Sequence, residues 1–172
     1  AQNVGTALKH AMHEIERANP DTLYRVFGAA DWGNKEKFND ELLKDLIEGF
    51  SSISLGNNAV DTDILGDAYE YLMRHFATES GKSKGQFYTP AEVSRVIAQV
   101  IGISPENTTA STYAYDPTCG SGSLLLKVAA QAGKRITLDG QEKDVTTAGL
   151  ARMNMILHDF PTASILAGDT LA

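Results

Sequence analysis

The sequence of 172 residues predicts an α/β fold in its second half, with an open parallel sheet flanked by helices. A β-favouring run at residues 113–116 leads through a glycine loop into a helical pattern at 123–131. Two more short β-favouring runs, 136–140 and 163–167, are separated by another helical pattern. This strand–helix alternation is typical of βαβ units, whose strands pair in parallel.

Composition and charge narrow the class of protein. The chain is 42% hydrophobic and 22% charged, as expected for one globular domain, or one domain with a helical appendage. Its net charge of −7 is unfavourable for a chain that binds the phosphate backbone of DNA by itself. One cysteine cannot form an internal disulfide, and no apolar run approaches transmembrane length. We therefore expect a cytoplasmic protein with no membrane contact.

Residues 1–77 are predicted to form a helical N-terminal segment. Apolar residues recur at helical spacing over 4–18 and 35–50, and a third helix is expected to start near Asp61 or Asp63. The apolar stripe of the second helix comprises Phe38, Leu42, Leu46 and Phe50, and the broad apolar face of the third comprises Ile64, Leu65, Ala68, Tyr69, Leu72, Met73 and Phe76.

The next helix has sequence signals at both of its ends. Residues 78–85 before it are small and polar, and they suit either a linker or a loop that closes over a ligand. Thr89 is predicted to cap the helix, with Pro90 at its first position and Glu92 completing a capping box. Gly102 is predicted to end it. We expect its apolar residues to be buried against the sheet: Val93, Val96, Ile97, Val100 and Ile101.

The glycine loop after the first strand carries the most chemical information. Gly120 and Gly122 allow close backbone approach to a ligand, and the following helix offers free N–H groups. Asp116, at the end of the strand, would repel phosphate but attract an amine or accept from hydroxyls. This favours a ligand with a cationic amino acid and a ribose, such as S-adenosylmethionine. Leu125 stands where a dinucleotide fingerprint has its third glycine, which weakens the case for a nicotinamide cofactor.

Two further acids follow the second and third predicted strands. Glu142 can accept hydrogen bonds from both ribose hydroxyls of a bound nucleoside, an arrangement that nicotinamide enzymes share. Asp169 would face the same crevice, with an ordinary Asp-Thr turn as the alternative. Cys119 is interpreted as a small buried residue, because no histidine or other base is indicated nearby. No metal site is predicted.

Four motifs in order resemble those of amino-group DNA methyltransferases, and in particular the modification subunit of type I restriction-modification systems, an N6-adenine DNA methyltransferase family. They are Gly85–Pro90, Asp116–Gly122, Gly140–Glu142 and Gly168–Leu171. The resemblance runs from about Asp63 to the end of the chain. It implies a Rossmann-like S-adenosylmethionine-dependent methyltransferase fold with an incomplete parallel sheet, of which residues 78–172 would be the N-terminal half.

The resemblance also implies a set of cofactor-binding residues. Residues 86–90 would hold the methionine end, Asp116 and its loop the amino-acid end, Glu142 the ribose, and Asp169 the adenine amine. The full set comprises Gln86, Phe87, Tyr88, Thr89, Pro90, Asp116, Pro117, Thr118, Cys119, Gly120, Ser121, Gly122, Glu142, Asp169 and Thr170.

Catalytic residues of this family stand in an Asn/Asp-Pro-Pro-Tyr/Phe motif, and the sequence contains no Asn-Pro-Pro. We therefore expect a fragment that cannot methylate alone, with no catalytic residue of its own. The parent enzyme would act on DNA together with a specificity subunit and a restriction subunit. Two alternatives stay open besides the nicotinamide enzyme. One is an S-adenosylmethionine enzyme with another substrate, and the other is a non-catalytic binding module that makes contacts through Trp32 and the Phe38 stripe.

Overall fold

The computed structural model describes residues 3–28, 30–55, 59, 62–79 and 89–172. Gln86, Phe87 and Tyr88, and most of the predicted loop 78–85, lie outside these ranges. The described residues form six helices and three strands: α1 Val4–Ala18, α2 Asp40–Ser51, α3 Thr62–Glu79, α4 Ala91–Ile101, β1 Tyr113–Asp116, α5 Ser123–Ala132, β2 Thr137–Glu142, α6 Val145–Leu157 and β3 Ser164–Ala167.

The three strands form one parallel sheet in the order β1-β2-β3. Asp116 pairs with Gly140 across the first ladder, and Glu142 pairs with Ala167 across the second. The predicted α/β architecture is thereby confirmed. β3 lies at one edge of the described sheet, and β1 forms the opposite edge.

The main core lies between the sheet and helices α5 and α6. Leu125 on α5, Leu138 on β2 and Met155 on α6 are each almost fully buried. Burial of such side chains stabilises the fold by roughly 1.5–3 kcal/mol each. The remaining buried residues of this cluster are Ala98, Cys119, Leu126, Val128, Ala129, Ala132, Ile136, Ala148, Ala151 and Ile165.

The second helix begins later than the sequence predicted. α2 starts at Asp40 because the Asn39 side chain accepts from the Leu42 N–H at 2.7 Å and caps the helix there. Phe38 precedes the helix and stacks on Trp32, with 5.0 Å between ring centroids. Leu43 is the buried residue of α2, and three residues of the predicted stripe are exposed: Leu42, Leu46 and Phe50.

The prediction for α4 was right about its C-terminus and wrong about its N-terminus and its buried face. Gly102 ends the helix with φ of 76°. Pro90, not Thr89, occupies the cap position, and no side chain caps this end, so the predicted capping box is absent. Ala91, Ser94 and Ala98 face inward. The five apolar residues predicted to be buried are exposed: Val93, Val96, Ile97, Val100 and Ile101.

The helical N-terminal segment packs directly on the α/β part. The hydroxyl of Tyr69 on α3 donates to the Leu150 carbonyl on α6 at 2.7 Å, and burial raises the pKa of Tyr69. Lys127 on α5 and Glu70 on α3 form an ion pair at 3.1 Å. Of the predicted broad face of α3, Tyr69 and Met73 are buried, whereas Ile64, Leu72 and Phe76 are exposed. The boundary between residues 77 and 78 remains a prediction.

Among the described residues, no helix is both long enough and apolar enough to cross a membrane.

Candidate functional site

Three carboxylates lie where adjacent parallel strands end. Asp116 is the last residue of β1 and Glu142 the last of β2, while Asp169 follows β3 by two residues. The parallel register places all three at the carboxyl edge of the sheet. In open α/β sheets, ligands bind in the crevice outside this edge.

The glycine loop is folded over the end of β2. The Cys119 N–H donates to the Gln141 carbonyl at 2.9 Å, which fixes the middle of the loop on the neighbouring strand. On α6, the Asn154 side-chain amide donates to the Ser121 carbonyl at 2.9 Å. Gly122 has φ of 81°, and a Cβ there would lie 2.4 Å from Met155 Cε. The loop therefore needs glycine at this position for its backbone conformation.

Cys119 is a packing residue beneath the loop. Its side chain is 6% exposed, and a Cβ on Gly140 would lie 2.8 Å from its Sγ. Burial, reinforced by the charges of Asp116 and Glu142, raises the pKa of the Cys119 thiol to about 12. A thiol that stays protonated is a poor nucleophile. The prediction that Cys119 is buried is confirmed.

Glu142 ties the glycine loop to the second βα connection. Its Oε2 accepts from the Gly120 N–H at 3.1 Å, and its Oε1 accepts from the Asp144 N–H at 2.8 Å. Asp144 caps α6 by accepting from the Thr147 N–H. The carboxylate of Glu142 is thus fixed at the crevice by two backbone donors, one on each side of it.

The Asp116 carboxylate is half-buried and lies near the charge of Glu142. Burial raises its pKa above the ordinary value, and the nearby charge of Glu142 acts in the same direction. The Thr118 N–H donates to Asp116 Oδ1 at 2.9 Å and partly opposes that rise. A ligand that brings a positive charge or several hydrogen-bond donors would stabilise the carboxylate, whereas a phosphate would destabilise it.

Residues 168–171 close one side of the crevice. The Gly168 N–H donates to the Glu142 carbonyl at 2.9 Å, and the Thr170 hydroxyl donates to the Pro117 carbonyl. Asp169 Oδ2 lies 2.6 Å from Lys143 Nζ, and the Leu171 N–H donates to Asp169 Oδ1 at 3.0 Å. These contacts join the loop after β3 to both neighbouring loops.

Sequence reasoning did not find Lys143. Its signal was available, since it directly follows Glu142 at the end of a predicted strand, where side chains face the crevice. Thr89 and Pro90 are exposed at the N-terminus of α4. Because Gln86, Phe87 and Tyr88 are outside the described ranges, the predicted methionine-binding segment keeps its status as a prediction.

A separate cavity of about 560 Å³ lies on the far side of β3. It is lined by the turn at residues 20–24, by Arg152 and Phe160, and by residues of β3. The Arg152 guanidinium donates to the carbonyls of Ile165 and Tyr24 and so is already paired. None of the three crevice acids lines this cavity.

The fold is an open α/β fold with a parallel sheet, as in known methyltransferases. A putative class I S-adenosylmethionine-dependent methyltransferase from Listeria monocytogenes superposes with a TM-score of 0.62 at 16% identity, covering 99% of this chain and 54% of its own. At that identity the likeness concerns the fold alone.

Sequence comparison is more specific. The family model for N-6 DNA methylases matches residues 60–172, and the chain belongs to that family. The type I restriction enzyme MpnII methylase subunit of Mycoplasma pneumoniae is 34% identical over 99% of this chain and 34% of its own length. The MjaVIII methylase subunit of Methanocaldococcus jannaschii is 38% identical, over 94% and 30% respectively.

A solved structure gives the same result. The type I restriction-modification methyltransferase subunit of Streptococcus thermophilus superposes with a TM-score of 0.82 at 34% identity, covering 97% of this chain and 36% of its own. The resemblance to type I modification subunits, inferred from four motifs, is confirmed. The chain spans about a third of the length of these relatives.

Proposed function

We propose that this chain is the S-adenosylmethionine-binding part of a DNA adenine-N6 methyltransferase, the modification subunit of a type I restriction-modification system. The observation that carries the proposal is the placement of Asp116, Glu142 and Asp169 around a glycine loop at one sheet edge. Family membership over residues 60–172 supplies the reaction class.

The residues present fit this cofactor better than a dinucleotide. S-adenosylmethionine offers an ammonium group, a sulfonium, two ribose hydroxyls and an adenine amine, which are cationic or donate hydrogen bonds, besides one carboxylate that would need a donor such as a backbone N–H group. Asp116, with its raised pKa, gains from a cationic or donating neighbour. A pyrophosphate at the glycine loop would instead meet the Asp116 carboxylate, so the nicotinamide alternative is disfavoured by charge.

Each crevice residue has a positioning role in the proposal. Residues 86–90 would lie along the methionine, with Thr89 donating to it. Asp116 and the loop residues Pro117, Thr118, Cys119, Gly120, Ser121 and Gly122 would hold its amino-acid end. Glu142 would accept from the ribose hydroxyls, and Asp169, next to Thr170, would accept from the adenine amine.

The bound cofactor supplies an electrophilic methyl group. The contribution of this chain to the rate would be orientation, because no residue of the crevice is placed for proton transfer in the scheme. The target adenine would be flipped from the duplex and held by an Asn-Pro-Pro motif elsewhere in the parent protein. In this scheme the residues of this chain bind and orient the cofactor.

DNA and the other subunits would be partners of the complete enzyme. A net charge of −7 leaves little for this part to contribute to phosphate binding, so a basic surface elsewhere in the cytosolic complex would hold the DNA. The specificity subunit would choose the sequence, and the restriction subunit would act separately.

Calorimetric titration of S-adenosylmethionine into the folded chain tests the proposal. We expect saturable binding that is lost in Asp116→Ala and Glu142→Ala and kept in Asp45→Ala, which removes an exposed acid of α2. Nicotinamide dinucleotide should not bind. Absence of saturable binding by the wild-type chain, with circular dichroism showing it folded, would contradict the assignment of the cofactor to this part of the protein.

A further inference from the structure

Lys143 and Asp169 connect the ends of two neighbouring strands. Lys143 is the first residue after β2, and its Nζ lies 2.6 Å from Asp169 Oδ2 beyond β3. The backbone on either side of Lys143 is fixed, since Glu142 Oε1 accepts from the Asp144 N–H. The backbone of Lys143 is therefore held in place, and its side chain extends from the end of β2 to the Asp169 carboxylate beyond β3.

The two oxygens of Asp169 each have one donor. Lys143 Nζ donates to Oδ2, and the Leu171 N–H donates to Oδ1 at 3.0 Å. A carboxylate oxygen can accept two hydrogen bonds, so each oxygen keeps one free acceptor position. Two donors fix the plane of the carboxylate while leaving it able to accept from a ligand.

The neighbouring acids are held differently. Asp116 accepts from the Thr118 N–H, and Glu142 from the N–H groups of Gly120 and Asp144. Among the described residues, neither acid has a lysine or arginine hydrogen-bond partner. Asp169 is also exposed, whereas Asp116 and Glu142 are half-buried, so packing restrains Asp169 least.

We propose that Lys143 is a positioning residue that orients the Asp169 carboxylate to accept a hydrogen bond from the exocyclic amine of a 6-aminopurine nucleoside. This inference rests on the proposed cofactor site. Without the lysine, Asp169 keeps only its contact to Leu171 and rotates freely toward solvent. Lys143 contributes to affinity through Asp169 and not by touching the ligand.

Calorimetry with S-adenosylhomocysteine, a ligand with the same 6-amino group, tests the inference through a double-mutant cycle. Lys143→Met should weaken binding ~3- to 10-fold, the range of one partly exposed hydrogen bond. In the Asp169→Ala background the same substitution should have no effect. With Asp169 present, Lys143→Arg should bind more tightly than Lys143→Met and keep most of the wild-type affinity. An equal loss in both backgrounds would overturn the proposal, because Lys143 would then be acting directly.

A second test changes the ligand instead of the protein. For the analogue of S-adenosylhomocysteine with hydrogen in place of the 6-amino group, Lys143→Met should bind as tightly as the wild type. Lys35→Met is the matched control, since Lys35 forms a similar exposed pair with Asp40 at 3.1 Å, in the helical segment. Its affinity for both ligands should be unchanged.

A measurement without ligand tests the pair itself. The hydrogen bond from Lys143 lowers the pKa of Asp169, so the ¹³C carboxyl resonance of Asp169 should titrate at higher pH in Lys143→Met than in the wild type. Identical titrations would overturn the inference.

The outcomes separate the two proposals. Failure of the wild-type chain to bind S-adenosylhomocysteine would remove the cofactor assignment and this inference with it. Binding that Lys143→Met leaves unchanged would remove the inference alone.

Discussion

The Glu142 carboxylate accepts a hydrogen bond from the Gly120 N–H at 3.1 Å, which joins the end of β2 to the glycine loop after β1. The same carboxylate accepts from the Asp144 N–H at the start of α6. The acid expected to meet a ribose thus also fixes the loop expected to meet the methionine. One side chain therefore has the structural role seen here and the binding role that we propose.

Glu142→Gln separates these roles. The amide can keep one acceptor contact, but it loses the charge that strengthens both hydrogen bonds, so we expect stability to fall by about 1–2 kcal/mol. Binding of S-adenosylmethionine should fall by ~10-fold or more, since a charge-assisted contact is lost. Urea unfolding and calorimetry measure the two effects. Unchanged affinity would remove Glu142 from the binding set.

Gly122→Ala tests the backbone conformation of the loop. The new Cβ would approach Met155 Cε, the flexible end of that side chain, in a backbone conformation with φ of 81°. We expect a destabilisation of about 1–3 kcal/mol from backbone strain, measured by urea unfolding. Gly49→Ala in α2 is the control, because a Cβ there has nothing within 4 Å. It should stabilise the chain by about 0.5–1 kcal/mol. Equal effects of the two substitutions would contradict the loop geometry.

Because the pKa of Asp116 is raised, we expect the stability of the folded chain to depend on pH. Its pKa is raised above the ordinary 3.8 in the folded chain, so the folded state holds this proton more tightly than the unfolded state. This contribution to stability is present below pH 3.8 and is lost as pH rises through the folded pKa. Asp116→Asn keeps an oxygen that can accept from the Thr118 N–H, but it replaces the titratable carboxyl group by a neutral amide.

We therefore expect Asp116→Asn to be more stable than the wild type near pH 7, and the difference to shrink on acidification. Thermal unfolding between pH 3.5 and 7, a range of ~3 units around ordinary carboxyl values, measures this. The variant should bind S-adenosylmethionine more weakly despite its stability. A wild type that is more stable than the variant at neutral pH would contradict the raised pKa.

The Arg152 side chain connects the N-terminal segment, at Tyr24, to β3, at Ile165. Its Nε and Nη2 both donate to the Ile165 carbonyl, at 3.0 and 2.7 Å, and its Nη1 donates to the Tyr24 carbonyl at 3.1 Å. Lysine cannot reproduce this fork, so Arg152→Lys should cost about 1–2 kcal/mol. Hydrogen exchange should speed up in β3 and around Tyr24 together. Exchange that changes at one site only would show that the two contacts are independent. Arg95→Lys, on the exposed side of α4, is the control.

The exposed face of α4 is apolar, and we expect it to cause the isolated chain to self-associate. Val100 is 81% exposed and Val96 58%, beside other apolar residues of the same helix. Contiguous apolar surface of this kind promotes self-association. The double variant Val96→Lys/Val100→Lys should lower light scattering at high concentration while leaving unfolding unchanged. If scattering is the same in the variant, the association has another cause.

The order and type of the elements in the α/β part could be predicted, because each strand and helix there has strong local signals. Gly102 and Gly133 end helices in the left-handed conformation that glycine favours. The three acids could be placed at one edge because parallel strands end together, which needs only the strand assignments.

Burial was harder to predict than element type. An apolar helical face, as on α4, shows which side could be buried but not whether a partner covers it. The N-terminus of α4 shows the same limit, since the capping-box pattern at Thr89 and Glu92 is present without the capping contact. The Lys143–Asp169 pair depends on two loops that meet only in the folded chain, so helical and strand periodicity carried no information about it.

Mapping amide chemical shifts on titration with S-adenosylmethionine tests the central claim most directly. The account predicts saturable shifts at residues 117–122, at Glu142 and Lys143, and at 168–171, with little change at α1 and α2. Shifts confined to the cavity between residues 20–24 and β3, or no shifts in a folded chain, would contradict the placement of the cofactor at the carboxyl edge of the sheet.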